Sequence, residues 1–200
     1  MEEHSTKVKI LSAAVQIIDE KGEAALRIQD IEGLSDVTAP SIYYFFGSRE
    51  GLVVEAQTER LLSALDQFDP LIDAKFAAVT SSDELRAVMR EFFGLFWRPE
   101  RTPVRMQRLS ALGSSVGRPD LTVRFEKEIR EYTESLSARL GEFQDRGWLL
   151  PDLDLRAFSY WLMGVLLGRV YVEFGVIPGP HPEWDAIAEK AIEFIMFGPE

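Results

Sequence analysis

Apolar residues recur every three or four positions along most of this chain, and that spacing constrains the fold more than any other feature. Near the N-terminus, for example, the pattern runs through Leu11, Ala14, Val15 and Ile18. Residues spaced in this way share one face of a helix, and the alternation that marks strands is not sustained in any stretch. Because 46% of the 200 residues are hydrophobic, such helices can bury a sizeable core. The sequence therefore predicts an all-α protein.

Start and stop signals divide the pattern into about nine predicted helices. Gly22 ends the first helix and Ser48 caps the fourth. Ser81 and Glu84 have the spacing of a capping box before the fifth helix, and Asp154 caps the eighth. The predicted helices cover residues 6–21, 28–34, 39–45, 48–68, 82–97, 104–112, 120–146, 155–174 and 183–197.

The acidic balance of the chain counts against non-specific nucleic-acid binding. The formal net charge is -11, and residues 1–60 hold six Lys or Arg against eleven Asp or Glu. Sequence-independent affinity for DNA comes mainly from cationic side chains that neutralise phosphates. Any contact with DNA must therefore depend on a few residues in defined positions.

Residue usage gives little support to an enzyme. The chain has no cysteine, which excludes thiolate zinc sites, cysteine nucleophiles and disulfides. His4 and His181 are the two histidines, so no Ser-His or His-metal constellation is available. Carboxylate pairs are too common in an acidic chain to indicate an active site. We therefore predict neither a metal nor a cofactor, and a small helical enzyme remains the alternative from another class.

The distribution of apolar segments predicts a soluble, cytoplasmic protein. Residues 1–9 are charged and lack the apolar core of a signal peptide. The most apolar stretch, residues 157–168, is too short to span a bilayer. The absence of cysteine is typical of a reducing compartment. No membrane partner is predicted.

Two short predicted helices, a tight turn and a long helix near the N-terminus are the elements of a helix-turn-helix. The second helix of that motif lies in the major groove of DNA. Thr38 is the predicted N-cap of this helix, and Pro40 falls in its first turn, where no N–H is needed. Ile31, Val37 and Ile42 are spaced to form the small core of the motif.

The residues of this segment resemble the recognition segment of the tetracycline-repressor (TetR) family. Residues 37–52 read VTAPSIYYFFGSREGL. In the family, a Val-Ser or Val-Thr turn precedes Thr-Leu-Tyr-Tyr-His-Phe and then Ser-Lys-Glu-x-Leu. The similarity extends back through Asp30-Ile31 and residues 9–14, and so covers roughly the first sixty residues. The remainder is similar in plan, with a turn at residues 147–149 before an apolar penultimate helix.

The resemblance implies a ligand-responsive transcriptional regulator. Residues 1–50 would form a three-helix DNA-binding domain, with a connecting helix that begins at about residue 48, and residues 51–200 would bind an effector and dimerise. It further implies a repressor that binds a palindromic, double-stranded operator as a homodimer and is released by a small, largely apolar effector. The alternative is a sensing or interaction module of the same fold that has lost tight DNA binding.

The resemblance also assigns roles to single residues. It implies that Tyr43 and Arg49 contact phosphates. Residues expected to face base edges are Gln29, Ala39, Pro40 and Ser41, and those expected at the DNA backbone or its rim are Arg27, Thr38 and Tyr44. Gln can pair with adenine, and Ala and Pro offer apolar contact to a thymine methyl group.

Three positions depart from the family pattern. Phe45 replaces a His that often touches phosphate, Asp36 replaces the turn Gly, and Glu32 stands where a small Ala usually packs. Asp can adopt the left-handed turn conformation, so the fold tolerates these changes more easily than the affinity for DNA does.

A candidate effector site lies among aromatic and basic residues of the middle helices. Its predicted residues are Phe93, Phe96, Trp97, Arg105, Met106, Tyr132, Phe158 and Trp161. Most of the aromatic residues must also belong to the hydrophobic core. Arg98, Arg101, Arg105 and Arg108 recur at helical spacing. A solvated or salt-bridged face is the favoured interpretation of this series, and the alternative is a mouth for an anionic effector such as an acidic ligand or an acyl-CoA.

The last two predicted helices carry more apolar surface than a helix of a monomer needs. In the resembled family this pair forms a four-helix interface with its copy. The predicted interface residues are Trp161, Leu162, Val165, Leu166, Ile187, Ala191, Phe194 and Ile195. Burial inside one chain is the alternative. A dimer would double the phosphate contacts available to an acidic protein.

Overall fold

The computed structural model describes residues 2–66, 69–174 and 181–199. These residues form helices and connections, and no strand occurs among them. The predicted all-α class is therefore confirmed. None of the helices in these ranges has the length and hydropathy that crossing a membrane requires.

The helices follow one another with short connections. The N-terminal helices are α1 (Glu2–Lys21), α2 (Ile28–Ser35), α3 (Ala39–Phe46) and α4 (Arg49–Asp66). The later helices are α5 (Asp69–Ala78), α6 (Ser82–Phe96), α7 (Thr102–Ser114), α8 (Pro119–Asp145), α9 (Leu155–Gly168), α10 (Val170–Glu173) and α11 (Pro182–Phe197). Single 3₁₀ turns at Glu23–Ala25 and Pro99–Arg101 precede α2 and α7.

The chain divides into two compact units. Unit 1 comprises Met1–Ala64 and Ser110–Glu126, and unit 2 comprises Leu65–Leu109 and Lys127–Glu200. The first unit therefore contains α1 to α3, most of α4, and a second segment from the end of α7 and the start of α8. The predicted functional division after residue 50 is drawn on a different basis and stays a prediction.

Each unit has its own apolar core. In unit 1, Ile31 and Ile42 are fully buried and Val37 packs against them, so the small core predicted for the helix-turn-helix is confirmed. In unit 2, α6, α8, α9 and α11 surround one cluster. Its members include Leu85, Met89, Phe93, Leu140, Phe143, Phe158, Leu162, Leu166, Ile192 and Met196.

Most predicted caps are present. Ser48 Oγ accepts a hydrogen bond of 2.9 Å from the Gly51 N–H, and Asp154 Oδ1 accepts one of 2.9 Å from the Ala157 N–H. Ser81 Oγ likewise accepts from the Glu84 N–H at 3.2 Å. These side chains satisfy helix N–H groups that have no partner within the helix.

Three departures from the predicted helices exceed two residues. Helix α5 lies where no helix is predicted, and α1 begins at Glu2 instead of residue 6. The helix predicted over 155–174 is divided at Arg169, whose buried guanidinium donates to Asp185 of α11 at 2.7 Å. The predicted end of the fourth helix near residue 68 lies outside the described residues.

Candidate functional site

The turn between α2 and α3 has the geometry of a helix-turn-helix. Asp36 ends α2 in the left-handed conformation (φ 56°, ψ 36°), which is the tolerance expected of Asp at this position. Its N–H donates to the Glu32 carbonyl oxygen at 3.1 Å. Thr38 is extended, and α3 begins with Pro40 in its first turn. The left-handed residue after α2 and the extended residue before α3 thus form the tight turn of a helix-turn-helix.

Helix α3 buries one face and exposes the other. Ile42 and Phe46 are buried in unit 1, whereas Tyr43 is 47% and Tyr44 74% exposed. Of the other predicted DNA contacts, Arg27, Gln29, Thr38 and Pro40 are exposed, and Ala39, Ser41 and Arg49 are half-buried. The predicted residues thus lie at or near the surface of unit 1. Their contact with DNA stays a prediction.

Glu32 caps α3 in place of Thr38. Thr38 occupies the N-cap position, but its side chain makes no capping hydrogen bond and lies 3.3 Å from Ser41 Oγ. Instead, Glu32 Oε1 accepts from the Ala39 N–H at 2.6 Å. A residue that the sequence identifies as a departure therefore stabilises the start of the helix. Its carboxylate also places a negative charge where a helix favours an anion.

Arg49 has protein partners. Its Nε donates to the Leu26 carbonyl oxygen and its Nη2 to that of Glu23, both at 3.1 Å. The guanidinium thereby ties the first 3₁₀ turn to the start of α4. Arg27 also donates to a carbonyl of this turn, that of Ala24, at 2.7 Å. The phosphate contact expected of Arg49 stays a prediction, and the carbonyl bonds give this residue a structural role as well.

Arginines from the second segment of unit 1 pair with acidic residues of the first. Arg118 lies 2.9 Å from Glu23 Oε1 and also contacts Glu50. Arg124 lies 3.9 Å from Glu55. Part of the acidic charge counted in residues 1–60 is therefore neutralised within the unit. Because the partners are about 70 or more residues apart, the sequence gives no local sign of these pairs.

Unit 2 contains a small apolar cavity of about 40 Å³ that is partly open to solvent. Helices α5, α6, α8 and α9 supply its walls. The lining residues are Ile72, Phe76, Met89, Phe92, Phe93, Phe96, Tyr132, Leu136, Leu162, Met163 and Leu166. Three predicted effector residues, Phe93, Phe96 and Tyr132, are among them.

The other predicted effector residues do not line this cavity. Trp97 and Phe158 belong to the core of unit 2, Trp161 is exposed, and Met106 is half-buried. Sequence reasoning missed the wall from α5 because it predicted no helix there. Arg105, the remaining predicted residue, is saturated by protein partners.

Arg105 and Glu173 form a buried ion pair. Arg105 Nε donates to Glu173 Oε2 at 2.9 Å, its Nη2 contacts Glu173 Oε1, and Thr102 Oγ1 donates to the same carboxylate at 2.9 Å. Burial would raise the pKa of Glu173, but the hydrogen bonds from Arg105 and Thr102 and the charges of Arg105 and Arg169 hold that pKa below its ordinary value. The carboxylate is therefore ionised.

The series of four arginines is not a single solvated or salt-bridged face. Arg98 is exposed and Arg101 half-buried, whereas Arg105 and Arg108 are buried. The favoured interpretation is correct for the salt-bridged Arg105. It is wrong for Arg108, which is neither solvated nor, in the described part of the chain, paired with a carboxylate. Equal spacing places residues on one face but does not say whether that face packs inward.

The predicted dimer residues fall into two groups. Trp161, Ile187 and Phe194 are exposed, the last two by 70% and 60%. Val165, Ala191 and Ile195 are half-buried. Leu162 and Leu166 are buried within unit 2 and line the cavity. The contact of all eight residues with a second copy stays a prediction.

Comparison with known proteins completes the description of unit 1. Residues 10–56, which contain α2, α3 and the turn between them, match the model for bacterial regulatory proteins of the tetR family. Residues 10–56 therefore form a TetR-family domain. The three-dimensional fold of the chain also matches solved structures over nearly its whole length. Among curated proteins, none matches it.

One similar structure is described as a TetR-family transcriptional regulator from Mesorhizobium loti, with a TM-score of 0.74, 16% identity, and coverage of 98% of this chain and 96% of that one. A transcriptional regulator from Saccharomonospora viridis in complex with choline has a TM-score of 0.66, 18% identity and 98% coverage of both chains. FadR from Bacillus subtilis in complex with stearoyl-CoA has a TM-score of 0.63 and 18% identity, over 97% of this chain and 100% of that one. At identities this low, the structural similarity establishes the fold alone.

Proposed function

We propose that this chain regulates transcription as a homodimer that binds a palindromic operator, and that a small, largely apolar ligand releases it from DNA. The observation that carries the proposal is the exposed face of α3. Tyr43 and Tyr44 project from it, within the segment that matches the TetR-family model. The proposed activity is repression by occupancy of the operator and includes no catalytic step.

The two tyrosines support contact with DNA because they lie on the exposed face of α3, although the Tyr44 ring also makes an edge contact with Phe45. Buried residues at neighbouring positions, Ile42 and Phe46, already anchor α3. A phenol hydroxyl can donate to a phosphate oxygen, and such contacts fix the register of a helix in the groove. Arg27 and Gln29, exposed at the start of α2, add a cation and an amide to the same unit.

The dimer is supported by apolar side chains that unit 2 leaves uncovered. Ile187 and Phe194 are seven residues apart on α11, and so share a face of that helix. Trp161 is exposed on α9. Two copies joined through such faces would present two α3 helices to half-sites roughly 34–36 Å apart. A palindromic operator follows from the two-fold symmetry of the pair.

The ligand is supported by the composition of the cavity in unit 2, whose walls are almost wholly apolar. Two proteins of similar fold were solved with choline and with stearoyl-CoA. A ligand releases the operator only if it binds the DNA-incompetent state more tightly than the competent one. A tenfold loss of operator affinity requires about 1.4 kcal/mol of coupling free energy.

Selection of genomic DNA fragments by gel shift tests the proposal. We expect the wild-type protein to retain particular fragments in the presence of excess bulk DNA. Tyr43→Ala should weaken binding to every selected fragment about tenfold or more, because it removes a phosphate contact that is independent of sequence. Tyr171→Ala, which removes a still more exposed tyrosine from α10 of unit 2, is the control and should leave binding unchanged.

A second candidate function is a ligand-sensing module that no longer binds DNA tightly. The observation that favours it is the Glu32 carboxylate at the start of α3, in a segment that is already acidic. This candidate is favoured if no genomic fragment binds the protein better than bulk DNA does, while the same preparation is folded, dimeric and stabilised by a ligand.

A further inference from the structure

Arg118 joins two parts of unit 1 that are far apart in sequence. It lies in the turn between α7 and α8. Its Nη1 donates to both carboxylate oxygens of Glu23, at 2.9 and 3.0 Å, and its Nη2 contacts the carboxylate of Glu50. Glu23 begins the first 3₁₀ turn, which precedes α2, and Glu50 lies in the first turn of α4, which follows α3. One side chain therefore contacts both of the elements that flank the helix-turn-helix.

The Glu23 carboxylate connects Arg118 to a buried polar network. It also accepts a hydrogen bond of 2.7 Å from Gln57 Nε2. Gln57 Oε1 in turn accepts from Arg60 Nη1 at 2.6 Å, and Arg60 Nε donates to Asp19 of α1 at 2.8 Å. Gln57 and Arg60 are buried. Because a buried network of satisfied polar groups favours one geometry, Glu23 is fixed by Gln57 on one side and by Arg118 on the other.

The first 3₁₀ turn also holds two of the arginines proposed to contact DNA. The Glu23 carbonyl oxygen accepts from Arg49 Nη2 at 3.1 Å, and that of Ala24 accepts from Arg27 Nη1 at 2.7 Å. The position of this turn therefore sets where both guanidinium groups lie. Because the side chain of Glu23 contacts Arg118 while its carbonyl oxygen contacts Arg49, a displacement of Glu23 also displaces a residue of the proposed DNA-binding surface.

We propose that Arg118 is a positioning residue for operator binding, which holds the first 3₁₀ turn and the start of α4 in the geometry that places Arg27 and Arg49 at the phosphates. The inference rests on the proposed function in taking unit 1 as the DNA-binding part. It adds a residue from outside the matched segment, residues 10–56. An isolated surface ion pair contributes little, but Arg118 and Glu23 are only 21% and 30% exposed and are joined to the buried network.

Glu23→Gln distinguishes positioning from the two other ways in which Arg118 could affect DNA binding. If Arg118 itself bound a phosphate, its release from Glu23 would strengthen binding. If Arg118 only neutralised acidic charge, removal of the Glu23 charge would strengthen binding as well. Positioning predicts the opposite result, because the amide has one acceptor oxygen where the carboxylate offers two, and the turn is then held less firmly. Glu23→Gln should therefore weaken operator binding.

Fluorescence anisotropy measures the affinity of the full-length protein for a genomic fragment that the wild type selects, and for a DNA of the same length and unrelated sequence. Arg118→Gln should lower affinity for the selected fragment about tenfold, the effect of losing one charge-assisted hydrogen bond. It should lower affinity for the unrelated DNA less, because correct placement of the phosphate contacts fixes the register in which bases are read. The double variant with Glu23→Gln should bind about as well as Arg118→Gln alone, since both substitutions remove the same contact.

Arg124→Gln is the matched control. It removes a cation from the same segment of unit 1, but the partner of Arg124 is Glu55, in the interior of α4 and 3.9 Å away. Its affinity for the selected fragment should stay within about twofold of wild type, as expected for a weak surface pair. Unchanged affinity in Arg118→Gln, tighter binding by Glu23→Gln, or additive losses in the double variant would each overturn the proposal.

Hydrogen exchange without DNA separates this inference from the proposed function. The Ala25 N–H donates to the Gly22 carbonyl oxygen and the Leu26 N–H to that of Glu23, both at 3.1 Å. In Arg118→Gln these two amides should exchange about tenfold faster, whereas the amides of α6 in unit 2 should keep their wild-type rates. Arg118→Lys, which keeps the charge, should give intermediate rates and provides a second variant if the Gln variant folds poorly.

The two measurements together assign any failure. If the wild type selects DNA fragments but exchange at the first 3₁₀ turn is the same in Arg118→Gln, the inference fails and DNA binding stands. If exchange increases as expected but the wild type selects no fragment, the proposed function fails, and with it the role of Arg118 in operator binding, while its hold on the turn stands.

Discussion

Glu32 has opposite effects on the folding of α3 and on its proposed contact with DNA. Its carboxylate accepts the Ala39 N–H at 2.6 Å and so stabilises the start of the helix. The same end of a helix suits a DNA phosphate, because N–H groups and the helix dipole attract anions there. A phosphate that approaches α3 at this end therefore meets a carboxylate that is already in place.

Glu32→Gln separates the two effects. The amide oxygen can still accept the Ala39 N–H, so the melting temperature should change little. Loss of the negative charge should strengthen binding to a double-stranded DNA of unrelated sequence by about 0.3–1 kcal/mol, the usual size of a charge effect at a helix end. Fluorescence anisotropy at low salt measures the change.

Glu32→Ala is the companion variant because it removes the cap together with the charge. It should lower the free energy of unfolding by about 0.5–2 kcal/mol and strengthen DNA binding to the same extent as the Gln variant. If neither substitution alters DNA affinity, the start of α3 does not approach the phosphates.

Local signals predicted several residues of unit 1 and failed for others. The left-handed turn at Asp36 and the cap at Ser48 depend on residues that are close in sequence, so they could be predicted. The cap by Glu32 reaches across seven residues, and the bonds from Arg49 to the first 3₁₀ turn cross more than twenty. Such contacts depend on how helices pack, which spacing along the chain does not specify.

At the scale of elements, a buried ionic network joins α7, α10 and α11. Arg105 of α7 pairs with Glu173 of α10, and Arg169, just before α10, pairs with Asp185 of α11. Glu173 also lies 3.5 Å from Arg169, so one carboxylate serves two guanidinium groups. Removing one partner of a buried pair leaves the other charge uncompensated.

Glu173→Gln should therefore lower the free energy of unfolding at neutral pH by about 3–5 kcal/mol. The pKa of Glu173 in the folded state lies below its ordinary value. Its contribution is thus fully present above the ordinary pKa of about 4.3 and is lost as pH falls through the lowered value. Urea unfolding at several pH values should show that the difference in unfolding free energy between wild type and variant becomes smaller at acid pH. A gap that does not depend on pH would mean that Glu173 is not ionised.

Glu189 of α11 is the matched control because its pKa moves the other way. Burial and the charges of Asp185 and Glu193 raise that pKa. A raised carboxyl pKa costs stability as pH rises through the ordinary value towards the raised one. Glu189→Gln should therefore leave stability unchanged or increase it at neutral pH, in contrast to Glu173→Gln.

The cavity wall shows where prediction of elements fails. Helix α5 supplies Ile72 and Phe76 to it, yet no helix was predicted over Asp69–Ala78. The available signal was Asp69-Pro70, since Pro is favoured in the first turn of a helix. The break at Arg169 has no such signal. The apolar pattern runs on through residue 174, and the partner that holds Arg169 is on another helix.

At the scale of the whole molecule, the uncovered apolar residues of unit 2 bear on whether the protein is a monomer or a dimer. Phe194 and Ile187 are largely exposed on α11, and Tyr160 and Trp161 are 40% and 39% exposed on α9. Apolar surface contributes about 25 cal/mol per Å² when it is removed from water, before the costs of association. These side chains are where a second copy would bind.

Phe194→Glu should therefore convert a dimer to a folded monomer at micromolar concentration, because two copies of a buried carboxylate would meet across the two-fold axis without a counter-ion. Sedimentation velocity measures the change, and circular dichroism checks that the helices remain. Val123→Glu is the control: Val123 is 66% exposed on α8 within unit 1, so the same substitution there should leave the dimer intact. Loss of the dimer should also reduce operator affinity, since one α3 helix retains half of the phosphate contacts. A wild-type chain that sediments as a monomer, or a Phe194→Glu variant that remains dimeric, would show that this face of α11 is not the interface.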